Sequence, residues 1–268
     1  MRLLIATQVL DETHPNLGFF VRWVAEFAKH CESVVVIASA VGKYTLPANV
    51  SVYSLGKEVG LEHHSRVARF PALAWSLRHE YDAVFVHMIP EFVIAGALPW
   101  KLSGKNIGLW YVHGTVSWRL QLAAQIANSI FTTSPESCKI ASSKVHVVGH
   151  GIDTDFFTPD ATVPRGEAAL TVAGLTESKH HDRAIDIAHA DHRPIRIAGE
   201  GPERASLEEY ARAQGAAVTF LGPLTQPQLR DEYRKAAYLI HTSTTGSMDK
   251  VVLEALATDT PVKTESAV

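Results

Sequence analysis

His241-Thr-Ser-Thr-Thr-Gly246-Ser-Met-Asp-Lys250-Val-Val-Leu-Glu254-Ala-Leu-Ala-Thr-Asp-Thr-Pro261-Val-Lys-Thr264 is the stretch around which the chain is organised. It reads as a strand end, a polar loop containing a Gly, a short helix, a turn and a new strand, the repeating unit of a parallel sheet. Such a loop brings the free backbone N–H groups of a helix N-terminus above the sheet, where roughly half a positive charge makes a ready anion site. The one acid inside the helix, Glu254, lies two turns on from Ser247, among Val251, Val252, Leu253 and Leu256. Ser-x-Asp before an apolar run is equally an ordinary N-cap. Taken alone, the stretch leaves both readings open.

The chain around it has 268 residues, enough for one large or two ordinary domains with real cores. Its 46% hydrophobic and 20% charged content is that of a globular protein, neither disordered nor fibrous. Residues 1–160 carry 13 Lys+Arg against 13 Asp+Glu and the remainder 12 against 15, so neither part has the basic excess of a dedicated nucleic-acid binder. Cys31 and Cys138 lack metal-ligand spacing and are expected as small buried thiols in a reducing, cytoplasmic setting. The start, Met1-Arg2-Leu-Leu-Ile-Ala-Thr-Gln, turns polar at strand length and is not read as a signal peptide. The most apolar run, Ala83 to Trp100, is broken by His87, Pro90 and Glu91 and makes a poor membrane span. The chain has 14 His but no His-Glu-x-x-His or similar ligand pair, so no metal site is expected.

Toward the N-terminus, short β-branched runs alternate with amphipathic stretches. Strands are expected at Arg2–Ala6, Ser33–Ala38, Val50–Ser54, Ala83–His87, Asn106–Val112, Ser129–Thr132 and Val145–Val148. Helices are expected at Gly18–His30, His64–Glu80, Glu91–Leu102, Ser117–Ala127 and Pro135–Ser142. This alternation, with near-continuous hydrophobicity inside the strands, implies a parallel sheet covered on both faces, a Rossmann-like domain. After the linker-like segment Gly149–Pro164 a second series begins, with strands at Ala169–Ala173, Ile195–Ala198, Val218–Leu221, Tyr238–His241 and Val262–Thr264. Helices are expected near 179–190, 202–214, 226–236 and 249–257. The fold class is therefore α/β, with two Rossmann-like domains in tandem at 1–160 and 161–268.

A nicotinamide dehydrogenase would need Gly-x-Gly-x-x-Gly after the first strand, for the tight turn and close pyrophosphate approach. The loop there, Thr7-Gln-Val-Leu-Asp-Glu-Thr-His-Pro-Asn-Leu-Gly18, is long and has a single Gly. The corresponding loop of the second domain, Ala173-Gly-Leu-Thr-Glu-Ser-Lys179, fails the pattern as well. A Walker-type Gly-Lys-Ser/Thr is absent, which argues against a nucleoside triphosphatase.

Several short motifs follow one another in a set order: Asn16-Leu-Gly-Phe-Phe, then Tyr-Val-His113-Gly, then Val-Val-Gly-His-Gly-Ile-Asp153-Thr-Asp-Phe156. The second domain continues with Ala-Gly-Leu-Thr-Glu-Ser-Lys179, Ile-Ala-Gly-Glu-Gly201-Pro-Glu-Arg, Val-Thr-Phe-Leu-Gly222-Pro-Leu and Val-Val-Leu-Glu254-Ala-Leu-Ala-Thr-Asp-Thr-Pro261-Val. Each is weak, but in this order they make the chain resemble the retaining glycosyltransferases of family 4, two-domain GT-B enzymes, along essentially its whole length. The resemblance implies transfer of a hexose-type sugar from a nucleoside-diphosphate donor such as a UDP- or GDP-sugar to a glycan or lipid-linked acceptor. It implies no metal or other cofactor; the expected location is the cytoplasm, with the inner face of the membrane as the alternative.

The chemistry accounts for the residue types. Without a metal, charge developing on the leaving diphosphate must be stabilised by cations and oriented N–H groups. The resemblance assigns Lys179 to the diphosphate, with a solvated lysine as the plain alternative. The N–H groups around Gly246, Ser247, Asp249, Lys250 and Val251 fit the same diphosphate. Glu254 is implied to hold the donor ribose by a charge-assisted hydrogen bond. Gly18 would let the first-domain backbone close onto the donor, and His113, at a strand end, would face the acceptor and donor sugar without acting as a base. Gly174, Gly199, Gly201 and Gly222 are expected near the nucleotide, with turn geometry as the alternative.

Three departures temper this. Gly246 stands where the family usually has a sugar-contacting Glu, and Gly174 where an Arg usually accompanies the Lys. The chain also stops at Val268, after five strands of the second domain where six are usual. The second domain is therefore expected to be truncated, either as a fragment or completed by a partner. These departures motivate a second hypothesis, a non-catalytic nucleotide-sugar-binding or partner subunit. A GT-B epimerase would need paired carboxylates in the cleft, and none is evident. In the segment His63–Glu80, Arg66, Arg69 and Arg78 accompany Phe70 and Trp75. The expectation is a helix packing Val67, Phe70, Leu73 and Leu77 inward, weakened by Pro71, with weak peripheral membrane contact at most.

Overall fold

The structure, a computed structural model, describes residues 1–243 and 249–265. It divides into two compact units, Met1–Val148 and Gly149–Val268.

The first unit runs β1 (Arg2–Leu10), α1 (Phe19–His30), β2 (Ser33–Val41), β3 (Val50–Ser54), α2 (His63–Ser76), β4 (Ala83–His87) and α3 (Pro90–Leu102). It continues with β5 (Asn106–Trp110), α4 (Trp118–Ile126), β6 (Ser129–Thr132) and β7 (Val145–Val147). Its seven strands lie in the order β3-β2-β1-β4-β5-β6-β7, and every pairing is parallel. Side chains alternate across the sheet, so two cores form. Leu4, Ala6, Val35 and Ile37 pack with Phe70, Val93, Trp100 and Leu120 under α2, α3 and α4. Leu3, Ile5, Val34 and Val36 pack with Phe20, Val21 and Val24 of α1.

The second unit runs β8 (Ala169–Val172), α5 (His181–Ala190), β9 (Ile195–Ala198), α6 (Arg204–Gln214), β10 (Val218–Gly222), α7 (Gln226–Lys235), β11 (Leu239–His241), α8 (Lys250–Ala257) and β12 (Val262–Thr264). Its smaller parallel sheet has the order β10-β9-β8-β11-β12. Ala169, Ile195 and Ile197 face α5 and α6. Leu170 and Leu239 face Leu229, Tyr233, Val252 and Ala255 of α7 and α8. The segment after Val148 packs with this unit, and its Phe157 is buried in the second of these cores.

Three elements differ from the sequence expectation, each for a physical reason. β1 extends past Ala6 to Leu10, because Thr7 and Val9 keep pairing with β2 and the polar Thr7 is buried with its Oγ1 3.3 Å from His87 Nδ1. α2 passes straight through Pro71. Proline removes one intrahelical hydrogen bond, and the fully buried Phe70 and Ala74 on either side hold the helix to the sheet. Val67, expected inside, is 45% exposed, whereas Leu77 is buried. The helix expected over Pro135–Ser142 is a single 3-10 turn, Pro135–Ser137, closed by Ser134, whose side chain accepts from the Ser137 N–H. Cys138 then turns extended.

Candidate functional site

In the second unit, the carboxyl ends of β8 and β11 bring charged groups together, where open α/β sheets place ligands. The loop after β8 ends in a 3-10 turn, Glu177–Lys179, followed by His180 in the left-handed conformation at φ 49°. This sharp corner starts α5 at His181, not at 179 as the sequence suggests, and leaves Lys179 outside the helix. The buried Thr242, just past β11, fastens the corner: its hydroxyl lies 2.8 Å from the Lys179 carbonyl and 2.9 Å from that of His180.

Lys179 Nζ donates to Ser243 Oγ and to Asp249 Oδ2, both at 3.0 Å, and His241 Nε2 lies 3.3 Å from the same carboxylate oxygen. Lys179 and Asp249 are each about one-fifth exposed, so the pair is only partly screened by water. Asp249 occupies the N-cap position of α8, yet its side chain makes no capping bond. The carboxylate turns to Lys179 instead. Burial holds the imidazole of His241 below its ordinary pKa, with Asp249 pulling the other way. His150 stands lower still, at about 4, through burial first and then the charge of Lys250, again opposed by Asp249. His181 is likewise lowered by burial. The site is thus a partly enclosed set of two lysines, one carboxylate and neutral histidines.

Glu254 is 3% exposed. Its partner is Tyr233 of α7, fully buried, whose hydroxyl donates to Glu254 Oε2 at 3.1 Å. The apolar setting expected around Glu254 holds for Val252 and Ala255 but not for Leu256, which is 55% exposed because it lies on the outer face of α8. Val251 is half-buried beside the same core. Gly246 and Ser247 lie outside the described residues.

The glycines separate by what a side chain would meet. A Cβ on Gly199, at φ +145°, would fall 1.9 Å from the Ala173 carbonyl oxygen, and one on Gly201 would fall 2.3 Å from that of Leu175. Both make room for the loop after β8, which is bonded to theirs through the Leu175 N–H and the Glu200 carbonyl. A Cβ on Gly174 would find only an ordinary 3.8 Å contact. Gly222 ends β10 at φ +69° with open space around it.

In the first unit, Gly18 precedes α1, and its close contact is with its own loop, since a Cβ there would meet the carbonyls of Glu12 and His14 at 2.8 Å. His113 follows β5 and is exposed. Its backbone N–H donates to the Ser137 carbonyl at 2.8 Å, and its Nδ1 accepts from the Thr115 N–H at 3.2 Å. With Nδ1 accepting, the neutral ring carries its proton on Nε2.

Sequence reasoning gave no role to His241, Ser243 or His150. His241 and His150 stand within the quoted motifs, and the only available signal was their position at a strand end and in the segment between the domains. Among the described residues no group of three or more His, Cys, Asp or Glu is arranged to hold a metal ion, and no helix is long and apolar enough to cross a membrane.

Residues 167–265 match the family described as glycosyl transferases group 1, a span that includes Lys179, Asp249 and Glu254. No curated protein matches the sequence. Among solved structures, Anabaena Alr3699/HepE in complex with UDP and glucose is similar at TM-score 0.73 and 18% identity, over 98% of this chain and 80% of that one. Sucrose-phosphate synthase from Thermosynechococcus elongatus is similar at TM-score 0.72 and 16% identity, over 98% and 81%. UDP-GlcNAc 2-epimerase from Methanocaldococcus jannaschii is similar at 0.58 and 13%, over 98% and 83%. At these identities the likeness is one of fold, the two-domain α/β architecture of GT-B proteins.

Proposed function

We propose that the chain is a glycosyltransferase that takes a sugar from a nucleoside diphosphate and passes it, with retention, to a glycan or lipid-linked acceptor without a metal ion. The observation that carries this reading is the family match over 167–265, which falls on the residues gathered at the ends of β8 and β11. Lys179 Nζ, already holding one oxyanion at 3.0 Å, would exchange Asp249 for the donor diphosphate. The N-terminal turn of α8 would add N–H groups and a partial positive charge, and the leaving diphosphate would gain most where its charge develops. Glu254, oriented by the hydrogen bond from Tyr233, would hold a ribose hydroxyl. The departing phosphate itself would take the acceptor's proton, so His113 serves to orient and not to deprotonate.

The second reading, a nucleotide-sugar-binding subunit without turnover, is favoured by one feature. Gly174 offers no second cation beside Lys179, whose charge Asp249 already matches. One experiment separates the two. The protein is incubated with a panel of UDP- and GDP-sugars and acceptors, and both released nucleotide and the melting temperature are measured. Turnover with one donor, lost together with nucleotide affinity by about tenfold or more in Lys179→Ala, supports transfer. Stabilisation by UDP or GDP with transfer at background supports the binding subunit. No effect of any nucleotide sinks both. Epimerised sugar nucleotide, without transfer, would point instead to the chemistry of the archaeal epimerase.

A further inference from the structure

The first unit holds a cavity of about 280 Å³ that none of the motifs described above addresses. It opens at the carboxyl ends of β1, β2 and β3, where Gln8 and Ser39 stand on neighbouring strands, and it is walled by α2 and α3. Its size is near the lower end of the roughly 300–1,000 Å³ usual for small-molecule sites. The lining is divided by chemistry. Leu55, Phe70 and Phe92, all buried, form an apolar floor. Lys57, His63 and Arg66 supply basic groups, against the single acid Glu91. Glu91 is already engaged by Arg119 at 3.5 Å, so the balance of charge facing the cavity is positive.

Arg66 sharpens the chemistry. Its Nε is buried and finds no acceptor among the described residues. Buried donors are nearly always satisfied, and one that is not calls for a reason. A guanidinium edge is shaped for an oxyanion, which it binds by parallel N–H bonds. With Lys57 exposed on the loop after β3, the cavity is lined by a partly buried guanidinium and an exposed ammonium group.

We infer that this cavity binds a small molecule that carries an oxyanion, phosphate or carboxylate, on a compact apolar or sugar body. The oxyanion meets Arg66 and Lys57, and the body lies on Phe70 and Phe92. Under the proposed function this molecule is the acceptor substrate, and in that identification the inference rests on that reading. The binding itself does not.

The test is calorimetric titration of the whole chain at low salt with hexyl phosphate, hexanoate, inorganic phosphate and octyl glucoside. UDP is titrated in parallel, and flotation with phosphatidylglycerol vesicles is measured. Hexyl phosphate or hexanoate should bind more tightly than inorganic phosphate or octyl glucoside, because only the first two satisfy both halves of the lining. Arg66→Met, which keeps the aliphatic stem, should weaken that binding by about tenfold or more, and Arg66→Lys by less. Lys57→Met should weaken it by about threefold. UDP binding should be unchanged in all three variants, while Lys179→Ala should change only UDP binding. Retained UDP binding with no hexyl phosphate or hexanoate binding would overturn this inference and leave the proposed function standing. Amphiphile binding without UDP binding would do the reverse. Equal binding by wild type and Arg66→Met would overturn it too. So would vesicle binding that neither hexyl phosphate nor Arg66→Met reduces, since the basic groups would then serve a membrane surface.

Discussion

Tyr233 and Glu254 are tied as a pair in the interior of the second unit. Burial first, and then the neighbouring carboxylate, push the Tyr233 hydroxyl well above its ordinary pKa, so it remains a donor at every working pH. Tyr233→Phe removes that donor and leaves a buried carboxylate oxygen short of one bond. The expected loss is about 1–3 kcal/mol of stability, to be read from urea unfolding. Glu254→Gln keeps the shape and an acceptor for Tyr233, so it should cost less stability while weakening nucleotide binding. Glu254 is legible in the sequence as a lone acid in an apolar helix. Tyr233 is not, because a helix end and a strand separate the two and nothing in local spacing points across them. The same holds for His241 and Asp249, which meet only because the chain leaves β11 and returns at the start of α8.

At the scale of elements, the loops after β8 and β9 lie so close that glycine is required in one of them. Gly199→Ala and Gly201→Ala would each drive a methyl group into backbone, and Gly199 would also be held at a φ that other residues avoid. Each should destabilise the second unit by about 2 kcal/mol or more. Gly174→Ala, with ordinary space, should change stability by no more than about 0.5 kcal/mol. Thermal melts of the three variants check the contrast directly. Equal losses would mean that the loops are not packed as described. Strands were legible from runs such as Val34–Ala38 because both faces of the sheet are covered. The tail of β1 was not, since Thr7 and Gln8 look like a loop until His87 is seen beside Thr7. Pro71 misled for a related reason: local rules count its missing N–H, and the burial of Phe70 and Ala74 outweighs it.

For the molecule as a whole, stability should depend on pH through the second unit. His150, His181 and His241 are all held below their ordinary pKa, His150 to about 4. A histidine depressed in the folded state stabilises it fully above about pH 6.5, the unfolded value. That contribution fades as pH falls toward the folded value, because the unfolded chain takes up the proton first. Melting temperature should therefore fall between pH 7 and pH 4.5, and His150→Phe should flatten part of the slope. A profile level over that range would contradict the burial of these rings. The two-domain α/β architecture was legible from alternation alone. The charge state of these histidines was not, since it depends on enclosure that only the folded chain creates.

The Lys179–Asp249 pair has a consequence for affinity. Under the proposed function, Asp249 would be a tethered competitor, present at a high effective concentration for the ammonium group that a donor phosphate must win. Any anion entering the site would bind with only the difference between the two interactions, which tunes it toward weak, readily reversed occupancy. Asp249→Asn should then tighten UDP binding, measured by titration, even as it removes a charge that looks like part of the site. A weaker or unchanged affinity would show that Asp249 holds the ligand and not the lysine's place for it.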